Sequence, residues 1–245
     1  MVLRMLSLIS IIAFELCVAE ELTLPVNTCH QDAADYSTCL KDATQEAWPR
    51  IAQGLPELNF PSMDPMFYEN HHAIYDAGEI RADIEVTNIT MIGLKDIRFT
   101  AVKAHFLDKD VFRLEVDFLM PKAFSWGTIK TIGSVGPFRL NSTGHYNVTM
   151  TGIKSKWIIT GHVKDDKWIV EQYRAIPTIT TLKMNTSGIV DSEEIEKLID
   201  DFVNEYWPIL YRAMASTIID TWEPWCIDKA NRLFSKVSFS KVFPK

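Results

Sequence analysis

The 245-residue sequence is poor in the features that announce a chemistry, and each absence excludes something. There is no surplus of positive charge: 25 Lys and Arg stand against 32 Asp and Glu, a net charge of -7. Such a chain has little with which to displace counterions from a polyanion, and no block of Lys or Arg offers a nucleic-acid arm or a polybasic membrane patch. Nucleic acid is therefore not an expected partner. There is no nucleophile elbow. The nearest approach, Gly133-Ser134-Val135-Gly136, has the wrong glycine spacing, and neither a zinc-protease helix motif nor a phosphate-binding glycine loop occurs. His71 and His72 are adjacent, so in a strand they point to opposite faces and cannot chelate one metal ion. They read as solvated or hydrogen-bonded side chains. His105, His145 and His162 lack spaced Cys or carboxylate partners. No catalytic residue, metal or cofactor is expected.

Long apolar runs are also missing, except at the start. Arg4, the run from Leu6 to Phe14 and the small residues through Ala19 form a signal-peptide pattern, too short for the roughly 18 residues of a membrane span. Residues 1–19 are thus expected to be removed, leaving 20–245 as a single secreted domain with no transmembrane segment. Removal of Cys17 leaves Cys29, Cys39 and Cys226. In an oxidising compartment the ten-residue spacing of Cys29 and Cys39 predicts a local disulfide, which stabilises by about 3 kcal/mol on loop-entropy grounds. Cys226 lies on an apolar helix face and reads as a buried, inert thiol.

What is present is periodicity. From Asp191 to about Val237, apolar or small residues recur in steps of three and four, predicting one long helix with Asp191 as N-cap and Glu194 as capping-box acid. Pro208 and Pro224 should bend it, and a second, shorter helix should run from about Asp35 to Gly54. The proline-rich stretch after Gly54, through Asp64-Pro65, reads as an extended connector. From Met66 to Met184 the period is two. Phe112, Leu114, Val116, Phe118 and Met120 alternate with Arg113, Glu115 and Asp117, while slips of phase between Val86 and Ile89 and between Ala101 and Val102 predict bulges. Asp108-Lys109-Asp110 and Asp165-Asp166-Lys167 read as hairpin turns. Sequons at Asn88, Asn141, Asn147 and Asn185 are candidate glycosylation sites, and Asn147 falls on the polar parity opposite Tyr146, Val148 and Met150.

A helix of some 45 residues spans about 65 Å and needs an elongated cover. Whether the space between them is hollow or filled is left open by the pattern. Candidate lining residues are Phe99, Phe112, Leu114, Phe118, Tyr146 and Trp157 on the strands and Phe202, Tyr206, Ile209, Ala213 and Met214 on the helix. Tyr146 is the candidate polar contact for an ester, epoxide or carboxyl oxygen, the alternative being a bond to a neighbouring carbonyl. No Lys or Arg stands on its parity nearby, which favours a neutral ligand over an ionised fatty acid.

The order of Leu24-Pro25, Cys29, Cys39-Leu40, Ala43, Gly54-Leu55-Pro56-Glu57, Asp64-Pro65, Asn204-Glu205-Tyr206-Trp207 and Val242-Phe243-Pro244 resembles the insect takeout and juvenile hormone binding protein family. The resemblance implies an α+β fold in which a long C-terminal helix is wrapped by a highly curved antiparallel sheet, an elongated single domain with an internal hydrophobic tunnel. It also implies a carrier for terpenoid, juvenile-hormone-like or fatty-acid-like ligands, acting as a monomer, with an unidentified receptor or delivery partner as a further candidate. The family's hormone binders carry a second disulfide that Cys226 has no partner to make, which points to a takeout-like member. A lipid-surface or microbial-lipid binding protein is the alternative.

Overall fold

The computed structural model describes residues 24–77, 80–107, 110–135, 138–175 and 177–245. The expected signal segment, residues 1–19, and Asp108 and Lys109 of the first expected hairpin turn lie outside them. The elements run α1 (Tyr36–Gln53), β1 (Met66–Ala77), β2 (Ile80–Ile92), β3 (Arg98–Phe106), β4 (Val111–Val135), β5 (Phe138–Lys164), β6 (Lys167–Ala175), β7 (Thr181–Ser187), α2 (Glu193–Phe234) and α3 (Phe239–Val242). Cys29 and Cys39 are bonded to each other ahead of and inside α1.

The spine is the antiparallel pair β4–β5, of 25 and 27 residues, several times the length of an ordinary strand. Such strands stay in one sheet because different neighbours serve each end. β3 and β6 flank the spine near Phe112 and Gly161, and β2 and β7 flank it near Ile129 and Tyr146, with β1 beyond β2. Between the two ends the dry face changes parity on both strands at once. On β4 it passes from Phe112, Val116, Phe118 and Met120 to Ala123 and Ser125, and on β5 from Ser142 to Ile153, Ser155 and Ile159. Pro121, with no N–H to give, and Gly152, at φ +60°, are the residues at the change. A Cβ on Gly152 would lie 2.4 Å from Thr180 Oγ1, and that hydroxyl donates to the Gly152 carbonyl. The expected slips also appear, at Asn88 (φ +53°) between Thr87 and Thr90, and between Phe99 and Ala101. These bends give the sheet its curl. The Asp165-Asp166 turn has both residues left-handed, as a two-residue hairpin requires.

The long helix forms as its spacing predicts, 42 residues or about 63 Å, and runs through Pro208 and Pro224. Its N-cap is Ser192 instead of Asp191: the Ser192 hydroxyl accepts from Ile195 N, and Glu196 reaches back to Ile189 N at 2.9 Å. A cap one residue later suits Glu196, which then sits where a side chain can bond the incoming backbone. The connector is tighter than expected. Pro56–Leu58 forms a 3₁₀ turn inside a Leu55–Phe60 bridge, because Leu55, Leu58 and Phe60 are all buried and pull the chain inward.

Side-chain amides hold the helices on the sheet. Gln45 of α1 donates to Ile97 O and accepts from Phe99 N, on the side of β3 that faces away from β4. Asn204 of α2 accepts from Met184 N and donates to Met184 O, both at 2.8 Å, along β7. Asn231 does the same to Val170 of β6. Each amide stands in for a missing strand. Replacing Asn231 by Leu, or Gln45 by Met, leaves a backbone N–H and C=O unpaired at a part-buried edge. Each change should lower unfolding free energy by about 1 to 3 kcal/mol, read from the shift in urea midpoint at unchanged slope.

Candidate ligand-binding groove

The bend at Pro121 and Gly152 divides the interior into two unlike halves. The half nearer β3 and β6 is filled. Trp48 of α1 meets Phe99 edge-on at 5.3 Å and Trp157 at 5.8 Å, and Phe118 lies 4.4 Å from Trp157. Trp48 Nε1 donates to Leu94 O, so the indole enters with its polar atom satisfied. At the far end Phe112 is closed in by Trp168, Phe239 and Phe243, the last two from the C-terminal tail. That tail is tied down by Asp166, which accepts from Ser238 Oγ and Ser240 N. Of the candidate lining residues, Phe99, Phe112 and Phe118 are therefore solid core, with Leu114 and Trp157 half-buried against it.

The other half is walled but not filled. Its inner face is set by register: Met91, Ser125, Val148 and Met184 in one row, Gly127, Tyr146 and Thr186 in the next, then His71, Val86, Ile129 and Gly144. The apolar members of these rows are only half-buried. Gly127 makes room for Tyr146, whose Cε1 lies 3.0 Å from where a Cβ would stand. Among the described residues the Tyr146 hydroxyl meets no carbonyl; it is 3.4 Å from the buried Ser125 hydroxyl, and burial raises the phenol pKa, with the Ser125 bond acting the other way. His71 was expected to be solvated or bonded. It stands on the face opposite His72, which pairs with Asp83 at 2.7 Å, but its own Nδ1 is buried with no hydrogen-bond partner among the described residues. Burial, and then the neighbouring His72, hold its pKa below the ordinary value of 6.5. His71 and Ser125, like the apolar Met91, Val86, Ile129, Val148 and Met184, are wall residues that the sequence did not place in the lining; adjacent histidines in an alternating strand were the available signal for the first.

The helix closes this half along β7. Asp200 accepts from Thr186 N and Oγ1, Asn204 clamps Met184, and Tyr211 donates to Pro177 O at 2.8 Å. At about 100° per residue, Ile199, Val203, Leu210 and Met214 occupy the adjoining half-buried side. Ile195, Leu198, Phe202, Tyr206 and Ile209 stand roughly opposite the clamp and are 46 to 67% exposed. This corrects the expectation that Phe202, Tyr206, Ile209 and Ala213 face the sheet. The polar side chains take that side because the backbone of β7 has more to lose by going unpaired than an apolar side chain has by staying wet. Two depressions of about 400 and 320 Å³ are lined largely by charged and polar groups, Gln45, Lys95 and Arg98 around one, His72, Asp83 and Lys130 around the other. The apolar surface left uncovered lies instead along the first half of α2.

A long helix laid along a strongly curved antiparallel sheet defines the class: an α+β protein of one domain. The chain belongs to the haemolymph juvenile hormone binding protein family, whose model matches residues 8–244. Its structure is similar to the crystal structure of Takeout 1 from Epiphyas postvittana, with a TM-score of 0.74 at 17% identity, covering 90% of this chain and all of that one. A lipopolysaccharide binding protein structure matches at 12% identity over 77% of this chain and 39% of that one, with a TM-score of 0.33, and supports no argument. A search of curated proteins finds no significant match.

Two measurements check these environments. Burial pushes the Cys226 thiol up to about 12 beside the half-buried Tyr173, so native protein should not react with iodoacetamide at mildly alkaline pH and should take up one label on unfolding. For His71, the unfolded imidazole takes its proton near 6.5 while the folded one resists, so stability present above that pH is lost as pH falls through it. His71→Asn should flatten the fall in urea midpoint between about pH 7.5 and about pH 5.5 relative to the parent.

Proposed function

We propose that the protein is a secreted, non-catalytic carrier of one small hydrophobic ligand, held along the open half of the interior against α2. The observation that carries this reading is the stripe Ile195, Leu198, Phe202, Tyr206 and Ile209, large apolar side chains left exposed in helical register beside a half-buried apolar wall. Covering a Leu or Phe side chain is favourable by about 1.5 to 3 kcal/mol, so an elongated apolar guest gains along the whole stripe. The polar atoms of the wall that the described residues leave unbonded or weakly bonded are neutral: His71 Nδ1, Ser125 Oγ and Tyr146 Oη. No Lys or Arg stands in the inner rows, which favours a terpenoid or ester over an ionised fatty acid. Ser125 meets a phenol instead of an imidazole or carboxylate, so it has no base to activate it, in keeping with a carrier. The family and the Takeout 1 fold support the same reading.

The alternative, binding to a lipid surface, draws on the same stripe, but Glu193, Glu194 and Glu196 in the first turn of α2 would repel an anionic bilayer. Solvent extraction of the secreted protein and mass spectrometry should release a neutral lipid. Stripped protein should then take up a terpenoid ester saturably, and Leu198→Asp with Phe202→Asp should weaken uptake by about tenfold or more. No extractable lipid and no saturable uptake would sink the carrier, and sedimentation with neutral vesicles in its place would establish the alternative.

A further inference from the structure

On the outer face of the open half, the register lines up a second set of side chains that the groove does not use. Phe67, Thr90, Trp126, Asn147 and Asn185 stand directly opposite one another across β1, β2, β4, β5 and β7. In the neighbouring row are Ile92, Phe124 and Thr149. The rings of Phe124 and Trp126 lie 5.3 Å apart, and Phe67 is 68% and Trp126 38% exposed. Large aromatic side chains in contact on an open sheet face are usually covered by something. The sequon Asn147-Val148-Thr149 lies in register with that patch, Asn147 opposite Trp126 and Thr149 opposite Phe124. Its cross-strand neighbour Asn185 is itself the first residue of a sequon.

We propose that Asn147 carries an N-linked glycan whose first sugar ring lies on Trp126, and that Asn185 stays unmodified. The inference rests on the secreted reading above. The atoms of the Asn147–Asn185 pair decide between the two sites. Asn185 Nδ2 donates to Asn147 Oδ1 at 3.1 Å. The Asn147 carbonyl is thus turned to β7, which leaves its Nδ2, the atom that takes the sugar, outside that bond, on a residue paired in register with Trp126 of β4. Asn185 presents its Nδ2 to Asn147, so a sugar there would be driven into its neighbour and would displace the bond. Strands about 4.8 Å apart give two branched glycans no separate berths in one row. In the transfer, the bond between Asn147 Nδ2 and the sugar C1 forms as the C1–O bond to a lipid-linked diphosphate breaks. Nδ2 loses one proton and the lipid diphosphate leaves; Oδ1 is untouched and still accepts from Asn185. The C–H face of a pyranose then meets the electron-rich face of Trp126, covering the patch without a protein partner.

The test uses the full chain secreted from eukaryotic cells. Enzymatic deglycosylation in heavy-oxygen water marks each formerly modified asparagine for mass spectrometry. The mark is expected on Asn147 and not on Asn185, with Asn147 occupancy unchanged in Asn185→Gln. Hydroxyl-radical footprinting of native protein should show Trp126 oxidised about fivefold faster once the glycan is removed. Molecules marked at both Asn147 and Asn185, or equal Trp126 oxidation before and after removal, overturn the inference. A bare Asn147 in protein marked at Asn88 or Asn141 overturns it while leaving the secreted reading intact. All sequons bare likewise overturns the inference, whereas failure of the full chain to reach the medium overturns the secreted reading.

Discussion

Every strand at the margin of a sheet presents backbone groups that must find a partner, and the architecture of this protein follows from how its margins are met. β3, β6 and β7 each pair with a single neighbour, and each has outer backbone groups taken up by an amide side chain, Gln45, Asn231 and Asn204, with the Glu223 and Asp200 carboxylates accepting further N–H groups of β6 and β7. An amide is the only side chain that offers a donor and an acceptor side by side, as a peptide does. Because two of the amides sit on α2, the helix is anchored at both ends of the sheet and its rotation is no longer free. With Asp200 and Asn204 facing β7, the strongest apolar stripe of its first half is carried away from the sheet. Exposure of that stripe is thus a consequence of sealing an edge, because the helix is held there by polar contacts to β7.

Much of this was legible in the sequence, because period and phase are local. The helical repeat over Glu193–Phe234, the alternation in β4 and the slips at Asn88 and near Ala101 all appear where the pattern puts them. So does the face of Tyr146. What the pattern could not show is which side of a two-sided helix meets the sheet. Asn204 was visible only as part of a motif resembling a family, and an amide looks the same whether it meets water or a strand edge. Parity also says which face Phe99, Phe112 and Phe118 occupy but not what lies above them. That depends on α1 and on the tail around Phe239 and Phe243, which arrive from opposite ends of the chain.

The polar atoms of the open half are few and unusual for their setting. His71 Nδ1 has no partner among the described residues, and Ser125 and Tyr146 meet one another across a long bond. In a filled core such groups would be a liability of a kilocalorie or more each. In a wall that meets a guest they fix orientation, since an oxygen-bearing ligand is worth more in the one pose that reaches them. Apolar cover supplies the affinity and these atoms the direction.

The division at Pro121 and Gly152 has a consequence for how such a protein can change over time. The half that holds the fold together, with Trp48, Phe112 and Trp157 locked in ring contacts, is separated along the length of β4 and β5 from the half proposed to receive a guest. Substitutions at Val86, Ile129, Val148 or Met184 alter a half-buried wall without opening a cavity in a packed core, so their cost in stability is small. Drift can therefore retune the shape of the groove while the filled end keeps the chain folded. One scaffold can in this way give rise to carriers with different cargoes, with little sequence in common and the same curl of the sheet.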